Sequence, residues 1–370
     1  PLRRRTMKAT ILILAMVTSL GACDSTSAAF RPDHILTVMT RNVYPGFAAE
    51  SIMAAPAEQI PLAAAVAWGK LQQTNFPERA GRLAAEILAH GPQVVGLQEV
   101  ALYRVQLPGD AAFGGATPAT TVAYDFLRIL LDTLTAHGAR YVALAGDTTS
   151  DIEMPAVTGV DGSGNPTFMD IRYTDRDAIL VRADVPHAAP QSGRYQAFIP
   201  FDLAGRPIGI HRGWGSVEAT IAGTTYRFVN THLEDLSVDV QVGQTTELLA
   251  MLADAAKPVV LMGDFNSDVI HGATPTYAML TAAGFVDVWA TAHPGEPGAS
   301  CCNAELLDNP TATYDQRLDL ILVLGGPEQT GRYVASAQAW LVGTTPAERT
   351  AGGLWPSDHA GLVGVLRVPE

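Results

Sequence analysis

The sequence is short of charge, shorter still of positive charge, and nearly without cysteine. Only 16% of its 370 residues are charged, and 24 Lys and Arg stand against 37 Asp and Glu, for a net charge of −13. A chain this acidic has no broad basic face with which to hold a nucleic-acid backbone. Any phosphate must be held locally, by a metal ion and a few positive groups. Its cysteines are Cys23, Cys301 and Cys302. Adjacent Cα atoms lie about 3.8 Å apart, closer than the usual disulfide range, so Cys301 and Cys302 form either a vicinal disulfide or two buried thiols. No internal repeat or heptad pattern is found. What is abundant is apolar: 48% of residues are hydrophobic, ample for the core of one large globular domain, and no Pro/Ser/Gly-rich linker divides the chain.

The N-terminal segment stands apart. Arg3, Arg4, Arg5 and Lys8 precede the apolar run "ILILAMVTSL", which ends in Leu20-Gly21-Ala22-Cys23. A basic start, an apolar run too short to span a bilayer and small residues at its end predict a secretory signal. The tetrapeptide resembles the lipobox of bacterial lipoproteins, which implies lipidation of Cys23, export and anchoring of the protein to the membrane of the cell envelope. Residues 1–23 are then removed or modified, and residues 24–34 form a polar tether. Removal of 1–23 takes four cations and no acid, moving the charge from −13 to −17.

Beyond the tether, "ILTVMTRNV" reads as a first strand and "PQVVGLQEV" as a second. Amphipathic helices are expected around 57–73, over "ERAGRLAAEILAHG" and over 121–137, followed by a strand "YVALA". From Asp177 onward the pattern turns strand-rich, with "DAILVRA", "SVEATIA", "TTYRFVNTHL", "PVVLMGD", "LDLILVL", "YVASAQAWLV" and "GLVGVLRV". Helices are expected at 240–255 and 275–283. Strands in hairpin-like succession with few helices between them favour an α+β sandwich over a doubly wound parallel sheet.

The apolar strands repeatedly deliver polar groups to their ends: Asn42, Gln98-Glu99, Asn230 and His232, Asp264 and Asn266, Asp319, and Asp358-His359. Carboxylates and amides are oxygen ligands for a hard cation such as Mg²⁺, and histidine exchanges protons near neutral pH. Together they suit phosphoester hydrolysis.

"TRNV", "GLQEV", "VNTHLE", "MGDFNSD", "RLDLIL" and "SDHAGL" stand in the order and spacing of the endonuclease/exonuclease/phosphatase superfamily, which this chain resembles over residues 35–368. The resemblance implies one DNase I-like domain, a four-layer α/β/β/α sandwich. It implies Mg²⁺, or Mn²⁺, held by Glu99 with Asn42 beside it and Asp358 assisting. It further implies that Asp264 orients the attacking water and Asn266 holds phosphoryl oxygens. Asp319 fixes the tautomer of His359, which acts on the scissile phosphate, and His232 binds a phosphate oxygen. Arg212, in "HRGW", is a candidate phosphate clamp or a surface arginine before a turn. His211 is read as structural, Arg176 and Asp177 as non-catalytic, and Asp268 as a loop cap.

The implied activity is that of a phosphodiesterase of nuclease type. Rivals are a sphingomyelinase-like enzyme acting on lipid headgroups, a phosphatase of inositol phosphates or other small esters, and a non-catalytic binding module. No obligate protein partner is expected. Two long segments, 45–76 and 291–316, are expected to wall the substrate pocket.

Overall fold

The computed structural model describes residues 35–203, 205–253, 255–325 and 336–367. The expected signal segment, Cys23 and the expected tether lie outside these residues. In chain order the elements are β1 (Ile35–Asn42), α1 (Glu50–Met53), α2 (Ile60–Gln73), α3 (Phe76–His90), β2 (Val94–Gln98), β3 (Leu102–Gln106), β4 (Thr121–Asp125) and α4 (Phe126–Ala136). Next come β5 (Tyr141–Val160), β6 (Pro166–Arg182), β7 (His187–Arg194), β8 (Ile199–Leu203), β9 (Arg206–Ile210), β10 (Gly213–Ile221) and β11 (Thr224–His232). The chain continues through α5 (Val238–Leu252), β12 (Val259–Asp264), α6 (Thr276–Ala282), β13 (Val286–Asp287) and α7 (Val288–Ala292). It closes with β14 (Asp319–Leu324), β15 (Ser336–Val342) and β16 (Gly361–Arg367).

The strands form two large sheets. One runs β15-β16-β1-β2-β6-β3-β4, with β5 also paired to β6, and the other runs β13-β14-β12-β11-β10-β7. Both are mixed: β1 pairs parallel with β2 and antiparallel with β16, while β12 pairs parallel with β11 and antiparallel with β14.

The strand sequences explain why the sheets are sandwiched on both faces. Successive side chains point to opposite faces. In β12, Val260 and Met262 join Leu36 and Val38 of β1 and Phe228 of β11 in the core between the sheets. Their neighbours Val259 and Leu261 face the other way, against Leu248 and Leu252 of α5 and Leu280 of α6. On the far side Met39, Val95 and Leu97 pack against α2, α3 and α4 through Leu71, Leu83 and Leu130. Strands covered on both faces read as continuous apolar runs. The result is the four-layer α/β/β/α sandwich that the resemblance implied.

The inter-sheet core is pinned by one polar strut. Gln98 Nε2 donates to Asn230 Oδ1 at 2.6 Å, and Asn230 Nδ2 donates to the Leu97 carbonyl at 2.9 Å. Gly96 makes room, since a Cβ there would sit 2.5 Å from Asn230 Oδ1. Asn230, expected at a rim with its neighbours, therefore joins the sheets instead of the site.

Some local expectations need correcting. Residues 121–125 are strand β4, and the helix starts only at Phe126, where the Asp125 carboxylate caps the Arg128 amide. The strand expected at 141–145 runs on to Val160, and β6 begins at Pro166, well before Asp177. The polar, charged side chains of 146–176 hid this ribbon, because much of it is only partly buried and carries no apolar alternation. The last expected strand but one starts at Ser336, and residues 333–335 lie outside the described set.

Candidate active site

Strand register assembles the site. Asn42 ends β1 opposite Gln98, with Glu99 following. His232 ends β11 opposite Asp264 of β12, and Asp264 faces Asp319, the first residue of β14. One sandwich edge therefore collects residues far apart in sequence. Asp264 is 1% exposed and accepts from Asn42 Nδ2 at 3.1 Å and from the Asn266 amide at 3.0 Å. Gly263 before it has φ +152° and lies so close to β11 that any Cβ would overlap the Thr231 carbonyl oxygen. Only glycine lets the strand present Asp264 there. Glu99 and Asn266 both adopt left-handed backbone, φ +63° and +47°. That conformation costs a non-glycine residue about 1 kcal/mol or more and concentrates where side chains are aimed for chemistry.

His359 precedes β16. Its Nδ1 lies 2.8 Å from Asp319 Oδ2 and 3.7 Å from Asp264 Oδ2. Its backbone is held as firmly: the carbonyl of His359 accepts from the Arg41 guanidinium, and its amide donates to Ser357 Oγ, which donates to the Asn42 carbonyl. Arg41 is buried and paired with Glu86 of α3 at 3.0 Å. A second buried arginine, Arg79, donates to the carbonyls of Val43, Tyr44, Thr74 and Pro356. Two buried cations thus clamp the 43–46 and 356–359 loops together.

The electrostatics differ between the two histidines. Burial works against charge on His359, but Asp319, Asp264 and Asp358 outweigh it and hold its pKa well above the ordinary value. His232 is pushed well below, by burial first and then by Arg212 and His359. One imidazole is set up as a cation and the other as a neutral ring. Asp264 is pushed up to about 6, mainly by burial and against the pull of His359.

Glu99, His232, Asp264, Asn266 and His359 line a cavity of about 410 Å³, with Asn42 and Asp319 bonded to Asp264 and His359 behind them. His232 Nε2 sits 4.0 Å from Glu99 Oε1, 3.8 Å from Asp264 Oδ2 and 3.2 Å from Asn266 Nδ2. Asp358 lines the same cavity. Every residue assigned a site role from the sequence within the described set is thus brought to this one place.

The comparisons with known proteins agree with this geometry. The sequence profile described as the Endonuclease/Exonuclease/phosphatase family matches residues 66–359. The chain belongs to that family. It is a metal-dependent phosphoesterase. Among solved structures it is similar to a humanized D. rerio TDP2 carrying 14 mutations (16% identity, TM-score 0.53, 90% of this chain and 99% of that one). It is similar also to a family protein from Bacteroides thetaiotaomicron (16% identity, TM-score 0.52, 90% and 97%). A third is D. rerio TDP2 complexed with a single-stranded DNA product (15% identity, TM-score 0.51, 90% and 99%). At these identities the likeness is one of fold. No curated protein matches the sequence.

In this family member the donor set fits a hard divalent cation. Burial, then the nearby Asp358 and Asp175, holds the Glu99 carboxyl well above its usual range, and burial likewise raises Asp358. Carboxyls crowded and dried in this way are relieved by a cation among them, and oxygen donors suit a hard ion. Asp175 was not anticipated. Its Oδ2 accepts from Thr149 at 2.7 Å, while its buried Oδ1 has no hydrogen-bond partner among the described residues. Asp264, Asp319 and His359 also offer ligand atoms within 4.8 Å of one another. There, however, the 2.8 Å contact already engages His359 Nδ1.

Other expectations shift in detail. Arg212 is no surface arginine: its side chain is 13% exposed, pairs with Asp235 at 2.8 Å and Glu234 at 3.7 Å, and touches both ring nitrogens of His232 at 3.1 Å. Asp177 is drawn into the site, 4.0 Å from His232 and accepting from the Glu99 amide at 3.3 Å. His211 stacks on Phe198, and Asp268 accepts from the amides of Ile270 and Arg317, as a loop cap does. Cys301 and Cys302 are joined as a vicinal disulfide, with Cys302 Sγ 3.9 Å from His359 Nε2. Asp175 and the clamping arginines escaped sequence reading because each sits inside a strand or helix, while Asp177 was considered but not expected to act in catalysis.

Proposed function

We propose that the protein is a Mg²⁺-dependent phosphodiesterase, exported and held at a membrane by lipid on Cys23. The observation that carries the catalytic reading is the buried Asp319–His359 contact beside Asp264 and Asn42. It supplies an oriented imidazolium and a carboxylate to one point in an open cavity. Glu99, assisted by Asp358 and with Asn42 alongside, would hold the cation; Asp175, which lines the same cavity, would add a further oxygen donor. The bound cation would neutralise charge building on the phosphoryl oxygens.

The protein's own groups divide the remaining work. Asp264 is fixed by Asn42 and the Asn266 amide, and it orients the attacking water and accepts its proton. His359, kept charged by Asp319, donates to a phosphoryl oxygen in the transition state. The Asn266 side-chain amide and neutral His232 hold the other oxygens, and Arg212 orients His232 while adding positive potential. Supporting this reading, the two histidines are tuned in opposite senses, as a charged donor and a neutral ligand-binding ring require.

The test is hydrolysis of bis(p-nitrophenyl) phosphate by the purified protein. Turnover should require Mg²⁺ or Mn²⁺ and vanish on chelation with EDTA. Undiminished turnover after exhaustive chelation would remove the mechanism.

A further inference from the structure

Much of the cavity lining is apolar. One of its walls is the β8–β9 hairpin, a separate two-stranded sheet with Phe201 opposite Ile208 and Ile199 opposite Ile210. The sequence "IPFDLAGRPIGI" alternates, so Phe201, Leu203, Ile208 and Ile210 face the cavity while Pro200, Asp202 and Pro207 are exposed. Ile152 and Met154 of β5 and Phe47 and Ile52 of the 45–53 segment extend this apolar lining. Several of these side chains are only partly covered, although each is apolar. That surface is left for something to cover it.

Charge narrows what the occupant is. Seven carboxyl-bearing residues line the cavity (Glu50, Glu99, Asp175, Glu234, Asp235, Asp264 and Asp358), against a single guanidinium, Arg212, which is already committed to Glu234 and Asp235. A nucleic-acid strand brings a phosphate with every nucleotide and needs a cationic track to lie in. This cavity offers none. It offers one place for a phosphoryl group and, continuous with it, apolar wall.

We propose that the substrate carries one phosphodiester joined to a hydrocarbon group, and that the hydrocarbon lies against the β8–β9 hairpin while the phosphoryl group meets Glu99 and His359. The proposal rests on the phosphodiesterase reading and adds the substrate class. In the reaction water adds to phosphorus, one P–O bond breaks, and the departing oxygen takes up a proton. The products are an alcohol and a phosphomonoester.

The experiment uses glycerol alkyl phosphodiesters with methyl, butyl or hexyl groups, assayed with Mg²⁺, beside a single-stranded DNA oligonucleotide. Burial is worth roughly fourfold per methylene if complete, so hexyl should exceed methyl in kcat/KM by about tenfold or more. The hexyl-to-methyl ratio should collapse toward one in Phe201→Ala and in Ile208→Ser, both on the partly exposed hairpin and therefore compatible with folding. Calorimetric binding of methylphosphonate and hexylphosphonate, whose alkyl groups are joined by a P–C bond that this hydrolysis cannot break, reads the same preference without turnover. No turnover together with hexyl-selective binding would sink the phosphodiesterase reading and keep the subsite. Equal methyl and hexyl values, or DNA cleaved in preference to the hexyl ester, would overturn the proposal. Parallel assays on phosphatidylcholine vesicles distinguish a bilayer lipid, cleaved in the vesicle, from a soluble amphiphile, cleaved only in solution; each result supports the subsite.

Discussion

Asp319 and His359 are 40 residues apart in sequence and 2.8 Å apart in space, Oδ2 to Nδ1, both almost wholly buried. The carboxylate fixes which imidazole nitrogen carries its proton toward the substrate. Asp319→Asn keeps the shape and removes the charge, so kcat should fall by about 10²–10⁴-fold with KM little changed. Steady-state kinetics on bis(p-nitrophenyl) phosphate measure it, and a loss under about threefold would show that the pair is merely structural.

The same pair makes a stability prediction for metal-free protein. The pKa of His359 is raised above its unfolded value of 6.5, so its protonated form stabilises the fold. That contribution is fully present below about pH 6.5 and is lost as pH rises through the raised folded-state value. Wild-type protein in EDTA should therefore lose its advantage over His359→Gln progressively above neutral pH. Thermal melts of both proteins across pH 6 to 9 would show the two curves converging.

Glu99→Gln should weaken cation binding more than it weakens the fold. The substitution removes one negative ligand from a crowded acidic cluster, so the Mg²⁺ concentration for half-maximal activity should rise by about tenfold or more. The melting temperature without metal should hold or rise, because a half-buried carboxyl crowded by other acids has gone. A Mg²⁺ titration of activity beside metal-free melts separates the two effects.

Breaking the Arg41–Glu86 pair should be expensive. Glu86→Ala leaves a fully buried guanidinium without its partner, a change that costs about 3–5 kcal/mol. Denaturant unfolding of the variant measures this directly. A cost under about 1 kcal/mol would mean that water reaches the pair.

The anchor is testable by fractionation. Cys23→Ser should move the protein from the membrane fraction to the soluble one, or stall its processing, and mass spectrometry of the N-terminal peptide should find lipid only on the wild type. Among the described residues no helix is long and apolar enough to cross a membrane, so in this reading retention depends on acyl chains.

The catalytic end of the fold was legible in the sequence because β-structure writes its chemistry at strand ends. Asn42, Glu99, His232, Asp264 and Asp319 each follow or open an apolar run, and the sandwich was read from strands in hairpin-like succession with few helices between them and, in its four layers, from the family resemblance. What lay inside the elements was hidden. Asp175 sits within a strand whose residues alternate polar and apolar only weakly. Arg41 is the next-to-last residue of β1, and nothing in its local sequence marks it as buried until Glu86, 45 residues away, is placed against it. Asn230 shows the converse, a polar residue near a strand end that joins two sheets. The β8–β9 hairpin was missed because its apolar alternation is short and its outward positions are Pro200, Pro207 and Gly209, which are poor strand signals.

The clamp on the backbone of His359 has a consequence for how the molecule opens. The 356–359 loop is tied to β1 by Arg41 and Ser357, to α3 through Glu86, and to the 43–46 turn by Arg79. Catalytic loops commonly belong to the least protected part of a protein and exchange their amide hydrogens by small local openings. Here such an opening must strand two buried guanidinium groups, so it is tied to unfolding of β1 and α3. The amide of His359 should exchange as slowly as those of the central strands. Gradual loosening of the active site ahead of global unfolding is closed off by the same two arginines.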